Sequence, residues 1–382
     1  MLTFRKSSPL VILLFFSFLS FLVFANTASA APAEEYIKLG AQAAEQGDYE
    51  KAAAAFRLAA KADPESAAAF YNLGVAYQKL GMPPQAEESY LEAIRLKPDY
   101  TGSYLNLGTV LNEQGRYEEA VDILQKGLAV DPRNAALYYN LGNALEKLGN
   151  DARALESFQK VCELAPEFPD AWHRSGVILG RMKRYEEAIS HYRKALELDP
   201  KLDSSLFNLA AALGSTGDWE GQAQTTEKLL KRRPDLALGW YNLGVARWRL
   251  GQIPEATAAF RKATELDPGY AYAWNNLSQC LTQTGKYVDA VVTARKAVEL
   301  EPGLVAAWNS LGLAAIGAED LGAAEDAYTK ALKLLPDSPE AHFGLGLISV
   351  LRGNRQGALD RIEILEKLQS PLAEQLRKQI GG

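Results

Sequence analysis

Cysteine, histidine and net positive charge are all scarce in this chain. There are two cysteines and three histidines in 382 residues. Cys162 and Cys280 have no neighbour at metal-ligand spacing, and no CxxC pair occurs, which excludes a structural zinc site and a disulfide framework. Both are expected to be small buried apolar side chains. His173, His191 and His342 are far apart in sequence, and HExxH, P-loop and GxSxG patterns are missing. No catalytic residue, metal, cofactor or small-molecule substrate is therefore expected, and the chain does not read as an enzyme. Lys and Arg number 41 against 47 Asp and Glu, for a formal net charge of -6. Nucleic acid demands a basic face, so it is excluded as a partner. A surface of anionic lipid is excluded on the same ground.

What is present favours helix. Hydrophobic residues make up 48%, alanine and leucine are abundant, and β-branched runs are few beyond the first residues. A chain of this length exceeds one ordinary core, so several domains or a repeat array are expected.

Residues 1–30 have the pattern of an export signal. Arg5 and Lys6 form a basic start, 9–25 is almost wholly apolar, and Ala28-Ser29-Ala30 is a small-x-small cleavage site. The apolar stretch lies between a signal core and a full membrane span, so an uncleaved N-terminal anchor is the alternative. Either way the remainder is expected outside the cytoplasm, periplasmic or extracellular, with membrane attachment only if the segment stays. No cysteine adjoins the cleavage site, so a lipid anchor is not expected. Asn276-Leu277-Ser278 matches a glycosylation sequon within an expected helix, where a glycan would obstruct packing; this favours a bacterial setting.

From Ala33 the chain repeats every 34 residues, without insertion or deletion, through ten units: 33–66, 67–100, 101–134, 135–168, 169–202, 203–236, 237–270, 271–304, 305–338 and a last one from Pro339. Position 4 of each unit is bulky, as in Tyr36, Tyr104, Trp240, Trp274 and Trp308. Position 7 is leucine in nine units, with Ser175 the exception. Position 8 is mostly glycine, position 20 alanine, position 24 largely aromatic, and position 32 proline in nine units. Positions 4, 7, 8 and 11 share one helical face, and 20, 24 and 27 share another. Glycine at 8 and alanine at 20 let two helices approach, while the rings at 4 and 24 fill the flanks. Glycine at position 15 ends the first helix, and the proline at 32 stops the second.

This set of positions resembles the tetratricopeptide repeat (TPR), from Ala33 to about Gly357. The resemblance implies an all-α, right-handed superhelical solenoid of about ten helix-turn-helix units, with the first helix of each unit lining a concave groove. The TPR array is assigned to 33–369, and a C-terminal capping helix and tail to 370–382. There Ser370-Pro371 reads as a helix start, and Leu372, Leu376 and Ile380 share a face that would cover the end of the stack. The unit at 203–236 departs most. Ala210 replaces the glycine, Gln222 the alanine and Thr226 the aromatic, which predicts a looser joint.

Position 6 is asparagine six times: Asn72, Asn106, Asn140, Asn208, Asn242 and Asn276. It lies roughly opposite the packing stripe, and asparagine is an indifferent helix former, so neither packing nor propensity explains it. A row of carboxamides can donate to and accept from the backbone of an extended peptide. It is similar to the asparagine ladder in the TPR domain of O-linked N-acetylglucosamine transferase. Arg174 occupies the same position in its unit. Tyr71, Tyr139 and Tyr241 at position 5 are expected anchors beside the amides, with Trp248 and Tyr272 nearby. Some TPR proteins clamp a terminal carboxylate; only Asn140 and Arg174 fit that pattern, while Leu105, Thr109 and Asp170 do not, so that role is not expected.

The sequence thus reads as a non-catalytic protein-interaction scaffold or assembly factor, whose partners are other proteins or peptides. The alternatives are a self-associating structural scaffold and a helper subunit of a separately encoded glycosyltransferase.

Overall fold

A computed structural model describes residues 31–380; the expected export signal at 1–30 lies outside them. The described residues form an all-α solenoid of helix-turn-helix units, 21 helices with no strand. The chain falls into two compact units, one ending at Pro166 and the other beginning at Glu167. Repeats in a solenoid touch only their neighbours, which is why an array can divide at a joint between two of them.

The first unit holds α1 (Ala31–Glu45), α2 (Tyr49–Ala62), α3 (Ala67–Lys79), α4 (Pro83–Leu96), α5 (Thr101–Glu113), α6 (Tyr117–Val130), α7 (Ala135–Lys147) and α8 (Asp151–Leu164). The second starts with α9 (Pro169–Arg181), α10 (Tyr185–Leu198), α11 (Asp203–Ser215), α12 (Trp219–Leu230), α13 (Ala237–Arg249) and α14 (Ile253–Leu266). It continues through α15 (Ala271–Gln283), α16 (Tyr287–Leu300), α17 (Val305–Gly317), α18 (Leu321–Leu334), α19 (Pro339–Leu351), α20 (Arg355–Lys367) and α21 (Leu372–Ile380). Odd-numbered helices up to α19 are the first helices of the repeats.

Local signals set the boundaries. The side chains of Asp48, Ser66, Asn134, Asp218 and Asp320 accept from backbone N–H groups in the first turn of the following helix, which satisfies donors the helix cannot pair itself. The turn between paired helices needs a left-handed residue. Glycine supplies it at seven of the position-15 sites from Gly47 to Gly285, with φ between 67° and 81°. Lys183 and Glu319 take up the same conformation with φ of 60° and 62°.

The packing follows the repeat. Alanine at position 20 has no accessible surface in all nine units that carry it, from Ala52 to Ala358. A methyl group on Gly74 would stand 2.7 Å from the Tyr90 ring, and one on Gly244 2.6 Å from Phe260. The glycine at 8 is therefore the recess that accepts the ring at 24. Position 4 has a second task. Trp240, Trp274 and Trp308 donate from the indole to the carbonyls of Pro234, Pro268 and Pro302 at 2.8–3.0 Å. Tyr104 does the same to Pro98, and His342 to Pro336. Each of these five repeats is thereby pinned to the proline that closes the one before it.

Positions 3 and 10 of the inner first helices are small or apolar and buried, as in Ala69 with Ala76 and Ala273 with Cys280. In α1 these places hold Glu35 and Gln42, both exposed, and Leu39 is 49% exposed. At the other end, Leu376 of α21 is fully buried against Ile362 and Leu365, with Leu372, Ile380 and Phe343 around it. Ser370 accepts from the Leu372 backbone N–H at 3.3 Å at the start of this helix.

The divergent unit buries polar groups where others bury alanine and a ring. Gln222 and Thr226 are both buried, and the Thr226 hydroxyl returns to the Gln222 carbonyl at 2.7 Å. Its second helix, α12, has 12 residues against 14 in α10 and α14.

Candidate functional site

The first helices present a face of tyrosines and carboxamides in each unit. None of the six asparagines at position 6 is exposed; all are half-buried, as are Arg174, Tyr71, Tyr139 and Tyr241. Position 6, opposite the packing stripe, is thus partly shaded rather than fully exposed.

In the first unit the Tyr71 ring lies 4.8 Å from Tyr100, which precedes α5, and 6.0 Å from Tyr90. Asn106 donates its amide to the Tyr71 hydroxyl at 3.3 Å. Gly102 makes room for this ring, since a methyl there would come within 3.2 Å of it. Burial raises the pKa of Tyr71 and Tyr100, so both remain neutral phenols at physiological pH. Further along, Asn140 donates to the Ala136 carbonyl at 3.0 Å and lies 3.4 Å from the Thr109 hydroxyl. Tyr139 meets Phe158 edge to face at 5.9 Å.

The second unit repeats the arrangement five repeats later. Tyr241 lies 4.8 Å from Tyr270, and Asn276 donates to the Tyr241 hydroxyl at 3.4 Å. Here the amide belongs to a longer relay. Gln279 donates to the Ser310 hydroxyl at 3.2 Å, Ser310 to Asn275 Oδ1 at 2.8 Å, and Asn275 to Asn276 Oδ1 at 3.1 Å. Asn275 and Ser310 are buried, so the relay holds Asn276 in one orientation. Arg174 pairs with Asp170 on α9 at 3.4 Å.

The side chains of Asn72, Asn208 and Asn242 make no hydrogen bond within the described residues, so their amide donors and acceptors are unspent. Sequence periodicity pointed to position 6 and missed other polar atoms of the first helices. The carbonyl oxygens of Asn112, Asn143 and Asn309 are buried and unpaired within the protein. They stand at positions 12, 9 and 5, where asparagine does not recur often enough to form a pattern. Trp248 and Tyr272 are exposed, as expected, at 37% and 51%.

Profiles described as TPR repeat match residues 40–81 and 108–149. Others described as tetratricopeptide repeat match 67–100, 135–168 and 169–202, then 241–305 and 309–365, and also 89–122. Between 40 and 365 these leave only 203–240 and 306–308 uncovered.

The chain belongs to the tetratricopeptide-repeat family.

The long uncovered stretch contains the divergent unit. No curated protein matches the chain. Among solved structures, it is similar to the C-terminal part of a TPR repeat-containing protein from Cytophaga hutchinsonii, with 19% identity and a TM-score of 0.53 over 63% of this chain and 99% of that one. It is also similar to PilF of Pseudomonas aeruginosa, with 26% identity, a TM-score of 0.48, and 55% and 95% of the two chains covered. MamA of Desulfovibrio magneticus aligns at 24% identity with a TM-score of 0.43, covering 46% and 99%. The first of these likenesses is one of fold. The TPR fold is a scaffold for contact between proteins. Among the described residues no three His, Cys, Asp or Glu side chains gather as a metal site, and no helix is long and apolar enough to cross a membrane.

Proposed function

We propose that this TPR protein is a non-catalytic scaffold or assembly factor that works outside the cytoplasm and captures extended peptide segments along the first-helix face of its repeats. One observation carries the reading: Asn72, Asn208 and Asn242 are half-buried on that face, yet spend none of their hydrogen-bonding capacity on the protein. A half-buried carboxamide without a partner suits the main chain of a ligand, which offers a donor and an acceptor at every residue. Tyr71, Tyr139 and Tyr241 beside the amides supply rigid apolar walls. Support for a location outside the cytoplasm comes from the sequence of residues 1–30.

The test is capture of partners by the chain lacking residues 1–30, on beads, with and without Asn72→Ala, Asn208→Ala and Asn242→Ala combined. Loss of captured protein with unchanged helical circular dichroism supports the reading. Undiminished capture rejects it.

Self-association is a second reading, favoured by Val288 and Val292 on one face of α16, which are 73% and 63% exposed. Sedimentation velocity of Val288→Lys with Val292→Lys tests it. A shift from oligomer to monomer is expected if this face joins copies, and an unchanged coefficient removes the idea.

A further inference from the structure

The two tyrosine modules are built alike, but the residues around the tyrosine differ, and the second encloses a pocket. Residues in the first module have counterparts 170 positions later: Tyr71 and Tyr241, Val75 and Val245, Asn106 and Asn276 are the same in both. The differences lie around them. In the first module Tyr90, 6.0 Å from Tyr71, donates its hydroxyl to Gln78 at 2.9 Å, which ties these two side chains together. In the second, Phe260 lacks that hydroxyl and Trp248 replaces the glutamine. These residues border a pocket of about 190 Å³ lined by Tyr241, Trp248, Arg249, Phe260, Asn276 and Gln279. That is smaller than the roughly 300–1,000 Å³ of sites for whole small molecules. It has room for one side chain.

The charge differs as well. Lys79 in the first module has the Glu113 carboxylate within electrostatic reach. Its counterpart is Arg249, and the place of Glu113 is taken by neutral Gln283. Arg249 forms no ion pair with any described residue. Its guanidinium lies instead against two indoles, 5.4 Å from the Trp219 ring and 5.2 Å from Trp248. Stacking fixes the plane of the cation while leaving its N–H edge free to take a carboxylate in two parallel hydrogen bonds. The relay through Ser310 and Asn275 holds the amides of Gln279 and Asn276 on the opposite wall.

We infer that this pocket of the second unit is a specificity subsite for an acidic side chain of a bound extended peptide, with the carboxylate on Arg249 and the side-chain stem against Trp248 and Phe260. The inference rests on the proposed peptide-binding role and adds the chemistry of the partner: a segment carrying Glu or Asp. The first module, with Gln78 held by Tyr90 and its cation already faced by Glu113, has no such preference.

The experiment uses an array of immobilised dodecapeptides in four classes (acidic, neutral polar, apolar and basic), probed with the chain lacking residues 1–30. Acidic peptides are expected to be retained about tenfold more strongly than neutral polar ones, in keeping with the strength of a charge-assisted bidentate contact. Arg249→Gln should erase that preference, and Arg249→Lys should keep part of it. Lys79→Gln, the matching change in the first module, should leave it unaltered. Trp248→Gln with Phe260→Tyr installs the tyrosine–glutamine pair that the first module already folds with, and should abolish the preference without loss of helicity. Equal retention of acidic and neutral peptides, or a preference that survives Arg249→Gln, overturns the subsite and leaves the groove reading standing. Failure to retain peptides of any class overturns both.

Discussion

Trp274 donates its indole N–H to the carbonyl of Pro268 at 3.0 Å, six residues earlier, across the joint between two repeats. The bulky residue at position 4 and the proline at position 32 are thus two halves of one contact. The proline stops the helix and leaves a carbonyl unpaired; the next repeat answers it with a ring that carries a donor.

Trp274→Phe keeps most of the ring and removes the donor. It should cost about 1 kcal/mol, because the net value of a hydrogen bond near the surface is of that order. Urea denaturation of the variant beside the parent measures this. Trp308→Phe, which loses the bond to Pro302, should behave alike, and a cost near zero in both would show that the contact only shapes the joint.

Lys183 and Glu319 hold left-handed turns that the equivalent repeats give to glycine. A side chain in that conformation costs about 1 kcal/mol relative to glycine. Lys183→Gly and Glu319→Gly should therefore each raise stability by about that amount, read as a higher urea midpoint at unchanged slope. A decrease would mean that those side chains make contributions larger than the backbone strain.

Stability should fall on mild acidification. Burial lowers the His173 pKa from 6.5 to about 4, outweighing the attraction of Asp170, and it also lowers His191 and His342. A histidine with a depressed folded-state pKa binds its proton more readily when unfolded. Its stabilising effect is complete above pH 6.5 and is lost as pH falls from there toward 4. For His173 alone the loss is up to about 3 kcal/mol. Melting temperatures from pH 7.5 to 4.5 should decline, and His173→Asn should flatten the curve. An equally steep decline in that variant would assign the effect to other groups.

Amide hydrogen exchange should be fastest, among the inner repeats, over 203–236. Gln222 and Thr226 are buried there in place of alanine and a ring, and α12 is short. Fewer apolar contacts lower the free energy of local opening. Protection equal to that of 237–270 would refute this.

The hairpins were legible in sequence because each rests on a residue type with one physical use: glycine 74 takes a ring, alanine 86 has no room for more, and Pro98 ends a helix. The contact of Trp274 with Pro268 was not legible, since the two recur with the same period but nothing in sequence aims the indole at the carbonyl. The candidate site was legible only in outline. Periodicity found Asn106 and Asn276, and Tyr71 and Tyr241 beside them, but not the hydrogen bonds that join them, because a half-buried amide and an exposed one look the same in a helical repeat. Asn275 and Ser310 went unnoticed for a different reason. A relay joining Gln279 to Tyr241 through two buried side chains occurs once, and a feature without a period leaves no trace in a repeat pattern.

The polar outer face of α1 gives the stack a direction that an engineer would meet at once. A consensus hairpin fused upstream would find Glu35 and Gln42 where every inner joint offers small or apolar side chains, and would have to desolvate a carboxylate to dock. Lengthening the array at that end calls for exchanging both for alanine, whereas α21 would first have to be lifted off at the other.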